Sequence, residues 1–232
     1  MTAIEPAVEA RARLSLGRGH DRIHRTVAAL LQARGVAGTL VDAGCGAGDL
    51  WRAVQGTGFT RCLGIDAVRY PELPEVVAFH AANLDLGLPL ADATADATAA
   101  VEVIEHLENP RAFMRELVRV TKPGGWVIVT TPNQLSALSL LTLIAKGSFS
   151  AFQDGDYPAH RTALLEVDLR RIAAESGLDR VAVGGFDALE LSARHRIEFD
   201  GDAQLALNRQ LILNAQTIAA SANASVRLSA PY

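Results

Sequence analysis

The sequence predicts a doubly wound α/β domain, a seven-stranded, mostly parallel sheet with helices on both faces. Three observations predict it. Short apolar runs alternate with segments of helical periodicity along the 232 residues, which implies right-handed βαβ units. One of these runs, Leu40-Val41-Asp42-Ala43, passes straight into glycines at every second position and then into a helix. Hydrophobic residues make up 49% of the chain and charged residues 21%, enough apolar content for one substantial core.

The elements follow from periodicity and breakers. Ile23, Val27, Leu30 and Leu31 mark one face of a helix between Gly19 and Arg34, closed by Gly35. Thr39 to Ala43 is a strand, Asp49 to Gln55 a helix, and Arg61 to Ile65 a second strand ending at Asp66. A third strand is expected at Val76 to His80 and a fourth at Ala97 to Glu102. A helix at Pro110 to Val120 precedes the turn Lys122-Pro123-Gly124-Gly125 and a fifth strand, Trp126 to Thr130. Leu135 to Ala145 reads as a buried or lid-forming helix, with a surface for a lipid or other apolar substrate as the alternative; it is too short to span a bilayer. Leu164 to Ser176 is a helix stopped by Gly177, and Val181 to Phe186 a sixth strand. Asp202 to Ala220 reads as an Ala/Leu/Gln-rich helix, and Ser225 to Ser229 as a last short strand.

This organisation implies one domain over 1–232, with a helical lead-in at 1–36, a core at 37–186, an insertion on the substrate side at 134–163 and a C-terminal helix and strand at 187–232. The formal net charge is −4 and no Lys/Arg run occurs, so nucleic acid is not the expected partner. Met1 to Arg18 has no apolar stretch of the kind a secretory signal needs, and a cytoplasmic protein is expected. Cys45 and Cys62 fit reduced, space-filling roles.

The glycines carry the chemistry. In Asp42-Ala43-Gly44-Cys45-Gly46-Ala47-Gly48 the missing side chains let a ligand approach the backbone, and a helix N-terminus follows. A dinucleotide fingerprint would need a third glycine where Asp49 stands, which disfavours an NAD-dependent dehydrogenase. The spacing resembles motif I of the class I S-adenosylmethionine-dependent methyltransferases, of the ubiquinone-pathway-like small-molecule O-methyltransferase type. The resemblance extends from Gly35 to Phe186 and rests on several motifs in order.

It implies a Rossmann-like fold and S-adenosylmethionine as the cofactor. By it, Asp42, Gly44, Cys45, Gly46 and Gly48 cradle the methionine part, and Asp66, with Ala67, binds the ribose hydroxyls, a task suited to two carboxylate oxygens. Asn83 and Leu84 stand where the family reads the adenine edge, with Asp85 the partner if the register slips by two. Val101-Glu102-Val103-Ile104-Glu105-His106 resembles the segment beside the reactive end of the cofactor, so Val101 and Glu102 join the cofactor set. His106 is then the candidate base for a hydroxyl acceptor, with Glu102 and His160 beside it, each with a structural role as the alternative. His20, His24, His80 and His195 read as structural.

The implied reaction is in-line methyl transfer to oxygen of a small or partly apolar acceptor, lipid- or glycan-linked molecules included. Two other readings compete. Glu102, Glu105, His106 and His160 also resemble the Mg²⁺- or Mn²⁺-binding set of the small-RNA 3′-terminal 2′-O-methyltransferases, although no metal is expected in this acidic chain. A non-catalytic cofactor-binding or interaction module is the other, because fold does not fix function.

Overall fold

The structure is a computed structural model. It describes residues 4–15, 17–187 and 213–222, with side chains through residue 178. Two helices lead in, α1 (Pro6–Leu14) and α2 (Asp21–Ala33); then come β1 (Gly38–Ala43), α3 (Asp49–Val54), β2 (Phe59–Asp66), β3 (Ala78–Ala81) and β4 (Ala95–Val101). The remainder is α4 (Pro110–Val120), β5 (Thr121–Pro132), α5 (Ala137–Lys146), α6 (Glu166–Glu175), β6 (Leu178–Asp187) and β7 (Leu213–Ala222). The strands form one sheet in the order β3-β2-β1-β4-β5-β7-β6.

Of the seven-stranded, mostly parallel sheet that the sequence predicts, the parallel part numbers five strands, β3-β2-β1-β4-β5. β7 runs antiparallel to β5, and β6 antiparallel to β7. The strand order reverses between β1 and β4, which places the ligand crevice outside their carboxyl ends.

Alternation along the strands feeds two cores. Val41, Ala43, Leu63, Ile65, Val127 and Val129 point to the side of α4 and α6, where they meet Phe113, Met114, Leu117, Leu169 and Ile172. Leu40, Cys62, Ala97, Ala99 and Ile128 face the other way, against Val27 and Leu31 of α2 and Leu50, Trp51 and Val54 of α3. Both cysteines are buried and free. α4 starts cleanly because Asn109 Oδ1 accepts from Ala112 N–H at 3.0 Å and Pro110 occupies the first turn, where its missing N–H costs nothing.

Two expectations are corrected. Residues 213–220, expected in a helix, lie in β7, where they pair with β5 from Trp126 to Pro132. The exposed edge of β5 offers ladder hydrogen bonds that outweigh the helix propensity of an Ala/Gln-rich segment. The remainder of that expected helix, and the strand expected at Ser225 to Ser229, lie outside the described residues.

The apolar segment after β5 is a helix, but it is not buried. Ser139 is its one buried residue, whereas Leu138 is 61% exposed, Leu141 65% and Ile144 83%. The faces of the parallel block are already covered by α2 and α3 and by α4 and α6, so α5 stands outside the core. No helix among the described residues is long and apolar enough to cross a membrane.

The same truncation should therefore read differently in the two places. Leu117→Ala, at a fully buried site, should cost about 2–5 kcal/mol. Leu141→Ala should stay within about 0.5 kcal/mol. Urea unfolding midpoints at constant m-value measure both.

Candidate active site

The turn after β1 is built by glycine. Gly44, Gly46 and Gly48 have φ of 83°, 48° and 85°, a region L side chains rarely adopt. A Cβ at Gly44 would lie 2.3 Å from Val103 Cγ2, and one at Gly46 would lie 2.2 Å from Gly17 O. Gly44 N–H and Cys45 N–H donate to Ile65 O at 2.7 and 3.2 Å, and Ala47 N–H donates to Gly17 O at 2.7 Å. Gly46 N–H donates to Asp66 Oδ2 at 2.9 Å, which brings the end of β2 to the loop.

A cavity of about 580 Å³ opens above this turn. Gly44, Cys45, Gly46, Asp66, Ala67, Asn83 and Leu84 are among its lining residues. Val101, Glu102, Glu105, His106 and His160 line the same cavity. Three sequence candidates fall outside the lining. Asp42 is 2% exposed at the end of β1, and Gly48 caps α3 beneath the loop. Asp85 serves as a clasp, accepting from Arg11 Nη2 at 3.0 Å and from Glu108 N–H at 2.8 Å. Asn83 Oδ1 accepts from Asp85 N–H at 3.1 Å and so fixes the turn.

In the same lining Glu102 has φ of 54°, and its Oε1 accepts from Thr130 Oγ1 at 2.8 Å. Burial pushes its carboxyl up to about 7. Glu105 is fully buried and neither of its oxygens has a hydrogen-bond partner; burial, then the charge of Glu102, holds it well above the carboxylate range.

His160 arrives from a distant segment because Arg161 N–H and Thr162 N–H both donate to Glu105 O, at 2.9 and 3.0 Å. The rings of His106 and His160 meet edge to face, 4.7 Å apart. Nδ1 of His106 bonds Ala159 O, and Nδ1 of His160 bonds Ala151 O. A carbonyl only accepts, so each Nδ1 carries a proton toward its carbonyl. Burial lowers the pKa of His106, so its ring is neutral at pH 7.

The N-terminal segment was missed as a wall of the cavity. Val8, Arg11, Ala12, Ser15 and Gly17 line it, held by the Gly17 and Asp85 bonds and by Tyr70 Oη, which donates to Ala12 O at 2.9 Å. No local pattern announces these long-range ties. His24 also lines the cavity; its place on the α2 face that carries Val27, Ala28 and Leu31 was the available signal.

A glycine cradle at the switch point of a doubly wound sheet, with a carboxylate at the end of the neighbouring strand, defines a nucleoside-cofactor site of the Rossmann-like class. A family model described as "Methyltransferase domain" matches residues 16–183, and the chain belongs to that family. It is an S-adenosylmethionine-dependent methyltransferase.

A probable S-adenosylmethionine-dependent methyltransferase of Mycolicibacterium smegmatis is 31% identical over 187 residues, covering 75% of this chain and 66% of the relative, just under two thirds of its length. A ubiquinone biosynthesis O-methyltransferase of Thiobacillus denitrificans is 24% identical over 171 residues, covering 70% of this chain and 74% of the relative. The crystal structure of a SAM-dependent methyltransferase from Archaeoglobus fulgidus aligns with TM-score 0.64 at 19% identity, over 85% of this chain and 94% of that one. The dehydrogenase and non-catalytic readings give way to this family.

Asp42 supplies a pH prediction. Burial, then the charges of Asp66 and Asp49, pushes its carboxyl up to about 7. A raised carboxyl binds its proton more tightly in the folded than in the unfolded chain, so stability falls as pH rises from about 4 to about 7. Asp42→Asn should lose that fall and exceed the wild type at pH 8 by up to roughly 4 kcal/mol; chemical unfolding at pH 4, 6 and 8 measures it.

Proposed function

We propose that the chain methylates a hydroxyl oxygen of a small or partly apolar acceptor. The observation that carries this reading is the single cavity that joins the glycine cradle and Asp66 to Glu102, His106 and His160. The likeness to a ubiquinone biosynthesis O-methyltransferase supports oxygen as the methyl-accepting atom. In this reading Gly44, Cys45 and Gly46 receive the methionine part of the cofactor, Asp66 and Ala67 its ribose, and Asn83 and Leu84 its adenine edge. Bound there, the cofactor supplies a methyl group already activated on a sulfonium. Placement of the acceptor in line with that methyl can account for about 7–11 kcal/mol of the barrier.

His106 adds the base. Its imidazole takes the hydroxyl proton as oxygen gains the methyl group, leaving a methyl ether and an imidazolium. His160, edge-on to that ring, holds the acceptor end of the cavity together with Phe152, whose ring lies 5.4 Å from it. The raised carboxyl of Glu102 carries only part of its charge at neutral pH, which lowers the cost of seating an apolar acceptor beside it.

One observation favours a second reading, a metal-assisted transfer. One ligand atom each of Glu105, His106 and His160 lie within 4.8 Å of one another, and a buried carboxyl group with two imidazoles matches Mn²⁺ or Mg²⁺ in part. Both Nδ1–H groups donate to backbone carbonyls, the arrangement that orients metal-ligating imidazoles. Glu102, the fourth residue of that set, is not in the convergent group.

Calorimetric titration with S-adenosylhomocysteine should give saturable binding of about −8 kcal/mol, micromolar in Kd. Binding should be lost in Asp66→Ala and absent with NAD; no heat from the wild type would defeat the assignment of the cavity. In an acceptor screen with alcohols and phenols, His106→Gln should lower kcat by about 10²- to 10⁴-fold. Turnover unchanged by a chelator rejects the metal-assisted reading, and strict dependence on Mn²⁺ or Mg²⁺ selects it.

A further inference from the structure

The first helix walls the cavity without belonging to the core. Val8, Arg11, Ala12 and Leu14 of α1 line it, yet no residue of α1 is buried, whereas α2 buries His24, Val27, Ala28 and Leu31. A helix that buries no apolar side chain draws little stability from packing and opens at low cost. What holds α1 down is polar. Arg11 Nη2 reaches Asp85 Oδ2 at 3.0 Å, with each side chain 13% exposed, and Tyr70 Oη donates to Ala12 O at 2.9 Å.

Beyond α1 the chain is fixed again. Ala47 N–H donates to Gly17 O at 2.7 Å, and the ring of Tyr70 lies against Gly17, where a Cβ would come within 2.5 Å of it. The strap therefore stays with the glycine turn, and α1 is the part that can swing.

Asp85 joins that helix to the rest of the site. Its Oδ1 accepts from Glu108 N–H at 2.8 Å, just past His106, and its own N–H donates to Asn83 Oδ1 at 3.1 Å. One carboxylate thus ties together α1, the Asn83–Leu84 turn and the segment that carries His106.

We propose that α1 is a lid over the cofactor cavity, latched by Arg11 on Asp85. The inference rests on the cofactor site described above. Cofactor on the Asn83–Leu84 turn steadies the carboxylate that receives Arg11, and Val8 and Ala12 meet the ligand only while α1 is down. Contacts made in the closed state alone are the differential affinity that shifts the helix toward closure. Entry and exit of the ligand both wait for the latch to open, so a weaker latch speeds both. Losing a residue that merely touches the ligand acts on koff instead.

The test follows S-adenosylhomocysteine onto and off the immobilised full chain by surface plasmon resonance. In Arg11→Gln, koff should rise about 10-fold, the size of one charge-assisted hydrogen bond. The on-rate should rise with it, so that Kd changes less than koff. Tyr70→Phe, which removes the second tie, should move both rates the same way by a smaller factor. Arg13→Gln, which breaks only the ion pair with Glu9 inside α1, should leave both rates at the wild-type values. Unchanged rates in Arg11→Gln, a rise in koff alone, or equal acceleration by Arg13→Gln overturn the proposal.

If Arg11→Gln and Tyr70→Phe fail to fold, hydrogen exchange of the wild type decides. The amides of α1 should exchange fast without ligand and gain about 10-fold or more protection with S-adenosylhomocysteine, while those of α2 change little. A gain no larger in α1 than in α2 rejects the lid. Failure of the wild type to bind S-adenosylhomocysteine at all would instead overturn the cofactor site, and the lid with it.

Discussion

The turn that follows β1 is the constraint on which the cofactor end depends. Three residues there hold positive φ, and the space around Gly44 and Gly46 is already filled by Val103 and by the Gly17 carbonyl. Because the turn satisfies its own amides, it ties four parts of the chain together. Ile65 O and the Asp66 carboxylate bring in β2, Gly17 O brings in the N-terminal strap, and the Gly48 cap starts α3. Asp66 shows the consequence. Burial raises its carboxyl, and the amides of Gly46 and Val68 that donate to it offset part of that cost, so the same bonds that shape the loop also fix the orientation of the carboxylate.

How much of this was legible depended on whether the information was local. β1, β2, β4 and β5 are short apolar runs bounded by turn residues, because both faces of a parallel sheet are buried. The sequence therefore showed β1, β2 and β4 within two residues of their observed ends, whereas β5 begins at Thr121 and takes in Lys122 to Gly125, expected as a turn. β7 was misread because nothing in Leu213–Ala222 distinguishes helix from strand except the open edge of β5, which lies far away in the sequence. α5 illustrates the reverse problem. Its apolar composition implied burial, yet whether a helix finds a place in the core depends on what already covers the sheet.

The candidate site divides in the same way. Gly44, Gly46, Asp66, Glu102 and His106 sit at strand ends of the switch point, so their spacing from the strands was enough to place them on one cavity. His160 is brought to His106 by backbone bonds from Arg161 and Thr162 to Glu105 O, a contact that family likeness suggested and spacing alone did not. The walls contributed by α1 and the strap depend on Arg11–Asp85, Tyr70–Ala12 and Gly17–Ala47. Each joins residues remote in sequence, and Asp85 is bonded to Arg11 and to Glu108 N–H outside the lining.

Burial acts on this site in two directions. It raises Asp42, Asp66, Glu102 and Glu105, and it lowers His106. Both effects disfavour charge, so the acceptor end tends toward neutral acids beside a neutral imidazole. A carboxylic acid held neutral leaves an adjacent imidazole free to accept a proton, since no fixed anion beside it has already drawn one on. Glu105 Oε1 lies 3.9 Å from His106 Nε2, so a charge on either group is felt by the other. An orphaned buried carboxyl is costly while its surroundings are uncharged and favourable once a cation forms beside it. In the reaction proposed above, the cost of burying Glu105 in the resting protein would be offset when His106 takes up the proton.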